Sequence, residues 1–205
     1  DDITPMGASG YLDYGFGGIS SCTVEPGLLV CSTLCRELKS VEAVYISHDY
    51  GNSWRVSLEG LEKGGIYFNT SYMKPQYNGG VSILHWMSDI KINPFNKDEV
   101  WFNSGTGVFG SDKFTSDNAQ YHDKCTGIEE TVHLNVYAPL GGDVKLLDIV
   151  GDLGAFAFDK LDEPCRNSFD DAEGNRYITC INADLSDENY DTAIVTARGN
   201  WKRKT

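Results

Sequence analysis

Short apolar segments separated by turn-forming residues recur along the chain, and this pattern limits the possible folds more than any other feature. The segments are rich in Val, Ile, Leu, Phe and Tyr, and clusters of Gly, Asn, Asp and Pro divide them. Helical spacing of apolar residues is scarce, so the pattern predicts antiparallel strands and an all-β fold. The predicted strands include LLVCST (28–33), AVYIS (43–47), DIKI (89–92), VWFNSG (100–105), VHLNVY (132–137), KLLDIV (145–150) and TAIVTA (192–197).

Several of these segments look like copies of one strand–turn–strand unit. When the units are aligned on apolar strands near residues 30, 101, 148 and 195, the steps between them are about 71, 47 and 47 residues. Steps of roughly 40–50 residues are typical of the blades of a β-propeller. We therefore expect about four propeller blades, with an insertion at 59–81 that decorates one face.

The sharpest local motif is SHDYGNSW, which has the Asp-box form Ser-x-Asp-x-Gly-x-Ser/Thr-Trp. In this motif, which begins at Ser47, Asp49 is expected to tie a β-turn, and Gly51 opens the turn at a demanding backbone angle. Trp54 is expected to pack beneath the turn. The motif predicts a hairpin turn in a propeller blade, and it makes Asp49 a turn clamp rather than a catalyst.

The charge balance disfavours some classes of partner. The 205 residues include 30 acidic and 17 basic side chains, a net charge of -13. Nucleic acids and anionic membranes bind basic surfaces, so we expect neither as a partner. A neutral or cationic ligand fits this charge, although acidic residues also simply keep a protein soluble. No apolar run approaches the roughly 18 residues that a membrane helix needs.

Cofactor chemistry has no sequence support. The four histidines lack metal-ligand spacing, and no Cys-x-x-Cys pair occurs. A phosphate-binding glycine loop and a nucleophile-elbow serine are also missing. We therefore predict no metal and no cofactor.

Six cysteines favour an oxidising compartment, and hence a secreted, extracellular protein. Cys22 and Cys31 are symmetric about residues 26–27, so a hairpin turning there would bring them within reach of a disulfide. Cys165 and Cys180 bracket a polar loop and form a second possible pair. Buried free thiols remain the alternative for all of them.

Four longer stretches follow one another in an order that points to one family. They are DITPMGASGYLDYGFGGIS (2–20), the Asp box, HWMSDIKINPFNKDEVWFNSGTGVFGSDKF (85–114) and GIEETVHLNVYAPLGGDVKLLDIVGDLGAFAFDKLDEP (127–164), and INADLSDENYDTAIVTARGN (181–200) continues the series. Together they resemble glycoside hydrolase family 74, the xyloglucan-active endoglucanases, over roughly 150 residues.

This resemblance implies a tandem seven-bladed propeller architecture in which two propellers face each other across an open cleft. The chain would be an internal fragment of it. Residues 1–125 would form the last blades of the first propeller, and residues 126–205 the opening blades of the second.

The stretch IVGDLGAFAF (149–158) carries the implied chemistry. The family inverts the anomeric centre of a β-1,4-glucan, using a general acid and a general base whose carboxyls lie roughly 6.5–9.5 Å apart. Its general acid belongs to a Gly-Asp-Ile-Gly-Gly-Phe motif, which reads GDLGAF at 151–156 here. Asp152 is then the general acid, and we expect apolar neighbours to keep it protonated. An Asp that clamps a turn through backbone amides is the alternative.

The general base is not expected within this chain. Asp148 is the nearest carboxylate along the strand, but four residues of strand span about 13 Å, which is too far. The resemblance implies a base upstream of the residues present, so the fragment alone should be inactive. Glu129 and Glu130 match family positions without an assigned role.

The motif also departs from the family pattern. Ala155 replaces a glycine, and we expect its methyl group where the backbone approaches the sugar. Ala157 and Phe158 replace an Arg-His pair, which would remove two sugar contacts.

Sugar rings stack on aromatic faces, and aromatic residues make up 12% of the chain. Each of the candidate side chains could instead belong to the propeller core. The candidate substrate-binding residues are Tyr11, Tyr14, Tyr67, His85 and Trp86, whereas Trp54 and Trp101 are expected in the core.

The leading interpretation is part of a secreted endo-β-1,4-glucanase that acts on xyloglucan. Its partners would be the polysaccharide and the remainder of the two-propeller enzyme. The alternative is a catalytically inactive propeller that binds glycans or proteins. An Asp152 carboxyl in an acidic cleft favours the enzyme, and one tied to backbone amides in a closed turn favours the binding module.

Overall fold

A computed structural model describes residues 3–5, 15–34, 42–59, 65–70, 84–128, 131–163, 165 and 167–200. Within these residues the chain forms strands and turns, with no helix, which confirms the predicted all-β fold. A helix able to cross a membrane is accordingly not found in these ranges.

Fifteen strands make up this part of the chain. They are β1 (Gly15–Ser21), β2 (Leu29–Leu34), β3 (Ala43–Ser47), β4 (Arg55–Glu59), β5 (Gly65–Tyr67), β6 (Ile90–Asn93), β7 (Asn96–Ser104), β8 (Gly107–Ser111), β9 (Gln120–Asp123), β10 (Val132–Tyr137), β11 (Leu146–Gly151), β12 (Gly154–Phe158), β13 (Asn167–Ser168), β14 (Tyr177–Leu185) and β15 (Ala193–Asn200). Each of the seven quoted sequence segments coincides with one of these strands, namely β2, β3, β6, β7, β10, β11 and β15.

The chain divides into two compact units. The first comprises residues 1–70 and 82–129, and the second comprises 71–81 and 130–205. In the first unit, one sheet has the strand order β1-β2-β3-β4 and another the order β5-β9-β8-β7-β6. Consecutive antiparallel strands that neighbour each other in this way form the up-and-down meander of a propeller blade.

The predicted insertion contributes to a sheet rather than only decorating a surface. Its described part contains β5, which pairs in parallel with β9 at the edge of the second sheet, with Ile66 opposite Tyr121. Buried Asp123, at the end of β9, accepts hydrogen bonds from the backbone N–H groups of Asn69 and Thr70 and from the Thr70 hydroxyl. One carboxylate therefore fastens the segment that follows β5.

The described strands of the second unit form a six-stranded sheet with the order β10-β11-β12-β14-β15, in which β13 also pairs with β12. The hairpin of β14 and β15 joins this sheet through one parallel bridge, Gly154 with Thr179. It otherwise packs through an apolar cluster that includes Leu147, Ile149 and Cys180. The described residues thus form three sheets where four repeats had been expected, because the fourth repeat attaches to the third.

The turn between β3 and β4 is tied by the side chains of the Asp-box motif. Ser47 Oγ donates to Asp49 Oδ1 at 2.8 Å and accepts the Gly51 N–H at 2.8 Å. Asp49 also accepts the backbone N–H and the hydroxyl of Ser53, at 2.8 and 2.6 Å. Gly51 has φ +85°, and a β-carbon at this position would lie only 2.8 Å from Cβ of Ile3. These bonds give the Asp49 carboxylate a turn-forming role, and they lower its pKa.

The predicted Cys22–Cys31 disulfide is wrong, because the hairpin has a different register. Ile19 faces Cys31 across β1 and β2, and the Cys22 N–H donates to Leu28 O. The turn is therefore centred on Glu25 rather than between residues 26 and 27. Both cysteines are free and buried, and burial raises the pKa of Cys31 to about 12.

The predicted pairing of Cys165 with Cys180 is also wrong. Neither forms a disulfide, and Cys165 Sγ donates to Ala157 O at 3.1 Å. Cys180 is fully buried in the apolar cluster of the second unit, and burial raises its pKa to about 11. The described cysteines therefore act as small apolar side chains and do not form the expected disulfides. Cys35 lies outside the described residues.

Candidate active site

Asp152 lies at the tip of the tight turn that joins β11 to β12. Its backbone has φ +62°, a left-handed conformation that Asp tolerates better than most residues do. Its N–H donates to the Thr179 hydroxyl at 3.0 Å, which anchors the turn to β14. Gly154 completes the turn with φ +83°, and a side chain there would crowd the Tyr177 carbonyl. The turn therefore presents the Asp152 side chain at an exposed position.

The expected enclosure of Asp152 by apolar neighbours is wrong for the described part of the chain. Val150 and Phe156 are buried within the sheet on either side of the turn. Asp152 belongs to neither strand, so its exposed side chain is separated from that packing. The turn between two buried strands brings the polar Asp152 side chain to the surface. The apolar residues next to it in the sequence therefore do not enclose it.

Asp148, the other carboxylate in this segment, is buried in β11 and already paired. Its Oδ1 lies 2.8 Å from Nδ1 of His133 on β10. A general base has to reach the attacking water, and a buried carboxylate paired with an imidazole does not offer that access. Sequence reasoning did not single out His133, because only the pairing of β10 with β11 brings it to Asp148. Glu129 and Glu130 lie outside the described residues.

Two of the three substituted motif positions, Ala155 and Ala157, face the core and not the surface. Ala155 is fully buried and Ala157 nearly so, both in the apolar cluster between β11, β12 and β14. The expectation that the Ala155 methyl lies where a sugar approaches is therefore wrong. Ala157 is two residues further along β12, so it points to the same face as Ala155. The expectation that Ala157 marks a lost sugar contact is therefore also wrong.

The first unit carries the candidate aromatic platform, Trp86. Its side chain is 59% exposed, and its backbone has φ +57°, which is a genuine outlier for a bulky residue. Such strain of about 1–3 kcal/mol persists only where the surroundings impose it, and it is concentrated at functional sites. The neighbouring His85 ring packs edge-on against the indole, with ring centroids 5.0 Å apart.

The backbone around this aromatic pair is fixed by close approaches. The Gly105 N–H donates to His85 O at 2.8 Å, and a β-carbon at Gly105 would lie only 2.6 Å from His85 Nε2. Nearby Asp89 is bonded to the Lys91 ammonium at 2.6 Å, which lowers the pKa of Asp89 and keeps it charged. The Trp86 ring is therefore a fixed, exposed surface with a carboxylate three residues away.

The other aromatic candidates divide into packed and exposed rings. Tyr67 is exposed and stacks on His122, with ring centroids 5.2 Å apart. Trp54 is half-buried, and its indole N–H donates to Ile3 O. Trp101 is 41% exposed on β7, so its prediction as a core residue is wrong.

Trp101 nonetheless has partners. Its indole N–H donates to Glu99 Oε1 at 2.7 Å, and the Lys124 ammonium lies over the ring, 5.4 Å from the centroid. Tyr11 and Tyr14, the other two predicted platforms, lie outside the described residues.

Within the same ranges, no group of three or more His, Cys, Asp or Glu side chains is arranged to hold a metal ion. The chemistry that the described site residues offer is that of an exposed carboxyl on a fixed turn and an exposed indole.

Comparison with known proteins relates this chain to one enzyme family. No protein-family model matches it. A xyloglucanase of Acetivibrio thermocellus is 37% identical over 184 residues, which cover 78% of this chain and 21% of the relative. An oligoxyloglucan-reducing end-specific xyloglucanase of Emericella nidulans is 26% identical, covering 73% of this chain and 23% of the relative.

Solved structures agree with these relatives. The crystal structure of the family 74 xyloglucanase of Xanthomonas campestris superposes with a TM-score of 0.70 at 26% identity, covering 91% of this chain and 25% of that one. The family 74 enzyme of Niastella koreensis shares the fold, with a TM-score of 0.69 at 20% identity. The chain thus spans about a fifth to a quarter of the length of the proteins that it matches. It belongs to glycoside hydrolase family 74.

Proposed function

We propose that the full-length protein is a secreted glycoside hydrolase that cleaves β-1,4-glucosidic bonds in xyloglucan-type glucans. Asp152 acts as the general acid, donating a proton to the glycosidic oxygen of the leaving group. The general base lies in a part of the enzyme beyond this chain and activates a water on the opposite face of the sugar, so the anomeric centre is inverted. No metal or cofactor takes part.

One observation carries this proposal: the motif aspartate is exposed on a hydrogen-bonded turn instead of being folded into the sheet. The left-handed backbone at Asp152 and its N–H bond to Thr179 fix the direction of the side chain. A general acid has to reach the glycosidic oxygen, and preorganisation of this kind shortens the search for that geometry. The relatives' activity on xyloglucan supports the choice of polysaccharide.

The direct test is the stereochemistry of xyloglucan hydrolysis by the full-length protein. We expect new reducing ends to appear first in the α-configuration, because inversion of a β-linkage gives an α-product. Proton nuclear magnetic resonance of the anomeric region, followed from the first minute, distinguishes the two configurations before they equilibrate. An initial β-product would contradict inversion, and binding without cleavage would favour the catalytically inactive glycan-binding module.

Trp86 is proposed as a stacking platform for a sugar ring. We expect Trp86→Ala in the full-length enzyme to raise KM for xyloglucan about ten-fold, because one aromatic contact contributes roughly 1–1.5 kcal/mol. The rate constant kcat should change little, since the ring holds the chain and takes no part in proton transfer. Initial rates over a range of xyloglucan concentrations measure both constants.

Trp101→Ala is the matched control for this variant. Trp101 is also exposed and in the same unit, but the Lys124 ammonium covers its ring. We expect its KM to stay within about two-fold of the wild-type value, which is the range of a surface substitution. Equal losses in the two variants would argue against a specific role for Trp86.

A further inference from the structure

Three side chains beside the Asp152 turn form a continuous hydrogen-bonded chain of carboxylate, imidazole and hydroxyl. Asp148 Oδ1 lies 2.8 Å from His133 Nδ1, and His133 Nε2 contacts the Thr131 hydroxyl. The Asp148 side chain is 10% exposed, whereas the His133 side chain is 53% exposed. The chain therefore runs from a buried anchor to the surface of the second unit.

The direction of these bonds follows from the chemistry of the three groups. An ionised carboxylate only accepts, so Nδ1–H of His133 donates to Asp148. In the neutral imidazole the other nitrogen is an acceptor, so the Thr131 hydroxyl donates a hydrogen bond to Nε2. With its proton directed at the ring, Thr131 Oγ1 offers only lone pairs to a further partner. Its preferred ligand is therefore a hydrogen-bond donor.

Strand register puts this acceptor at the same end of the sheet as Asp152. In the antiparallel pair of β10 and β11, His133 is opposite Val150 and Val132 is opposite Gly151. Thr131 precedes Val132, the first residue of β10, and Asp152 follows Gly151, the last residue of β11. Both residues therefore lie just beyond the last backbone pair, at the same end of the sheet.

We propose that Thr131 Oγ1 is a binding site for a sugar hydroxyl next to the proposed general acid, and that His133 and Asp148 are its positioning residues. The inference rests on the proposed function for its ligand, a xyloglucan-type glucan. A sugar O–H donates to Thr131, and the fixed imidazole prevents the threonine hydroxyl from turning its own proton outward. A hydrogen-bond chain polarised in one direction also strengthens its last acceptor. The site therefore selects a hydroxyl over an ether or carbonyl oxygen at this position.

Binding, measured apart from turnover, tests this site. In the full-length protein carrying Asp152→Asn, calorimetry gives the Kd for a xyloglucan oligosaccharide that is not consumed. Adding Thr131→Val removes the acceptor with little change in shape, and we expect Kd to rise about ten-fold. Adding Thr131→Ser restores the hydroxyl, and Kd should stay within about two-fold of the parent.

The role of Asp148 is tested by a double-mutant cycle. Asp148→Asn provides an amide that can donate to Nδ1 and so reverses the polarity of the chain. We expect it to weaken binding about ten-fold alone and to add almost nothing to Thr131→Val, because both remove the same interaction. A purely structural effect of Asp148 would add to the effect of Thr131→Val in full.

The matched control is Thr196→Val, a threonine exposed on β15 in the same unit whose hydroxyl donates to Asn182 O. It should leave Kd unchanged, and thermal unfolding midpoints verify that every variant is folded. Unchanged binding by Thr131→Val, failure of Thr131→Ser to rescue, or a parent that binds no oligosaccharide would each overturn the inference. A wild-type protein that binds with this pattern but hydrolyses nothing would refute the proposed function and leave the binding site standing.

Discussion

Replacement of Asp152 by Asn is expected to lower kcat for xyloglucan hydrolysis about 10²–10⁴-fold in the full-length enzyme. Without an acid, the departing sugar leaves as an alkoxide, and general acid catalysis contributes roughly this factor. Asn keeps the size of the side chain, and the backbone N–H bond to Thr179 is unaffected by the substitution. Because the side chain is exposed, the fold should be preserved, so the loss reports chemistry.

The leaving group separates an acid from a residue that merely binds. An aryl glycoside of a xyloglucan oligosaccharide with a nitrophenol leaving group departs without protonation, so its cleavage by Asp152→Asn should fall less than about ten-fold. Comparing both substrates in one variant therefore tests the role directly. A nucleophile or base would lose activity on both substrates, and equal losses would remove Asp152 as the acid. Asp162→Asn, an exposed carboxylate in the same unit, should leave both rates unchanged.

The strands were predictable because they follow from local patterns, but the register of the first hairpin was not. Short apolar segments bounded by turn-forming residues located β2 and β3 within a residue or two of their observed bounds. The symmetry of Cys22 and Cys31 about residues 26–27 suggested a turn centre that the chain does not use. Register depends on which side chains pack against the rest of the fold, and that packing is not visible in the symmetry of two cysteines.

The site was predictable only in part. Asp152 was found from a motif. Its exposure results from the turn between two buried strands, and the apolar residues that flank it in the sequence do not indicate that turn. His133 could not be found from the sequence, since its contact with Asp148 requires the pairing of β10 with β11. Trp101 was expected in the core, whereas side chains alternate along β7 and expose Trp101 between buried Val100 and Phe102.

Asp123 shows the same dependence on long-range contact in the first unit. The carboxylate lies 53 residues from the Thr70 amide and hydroxyl that it binds, so no local pattern indicates the pair. The group is buried, and it accepts from Asn69 as well. Its removal would leave the amide and hydroxyl of buried Thr70 without this partner, and together with the lost Asn69 bond this costs about 3 kcal/mol in total.

Asp123→Ala is therefore expected to release the segment that follows β5 without unfolding the unit. About 3 kcal/mol corresponds to roughly a 100-fold increase in local opening, so the amides of Asn69 and Thr70 should exchange with deuterium about 100-fold faster. Hydrogen-exchange mass spectrometry of peptides covering residues 65–70 measures this, with β2 and β3 as unaffected references. Asp123→Asn retains one acceptor oxygen and should give an intermediate rate, while Asp117→Ala, an exposed position in the same unit, should give the wild-type rate. Uniformly faster exchange over β2 and β3 would instead mean that Asp123 stabilises the whole unit and not this one segment.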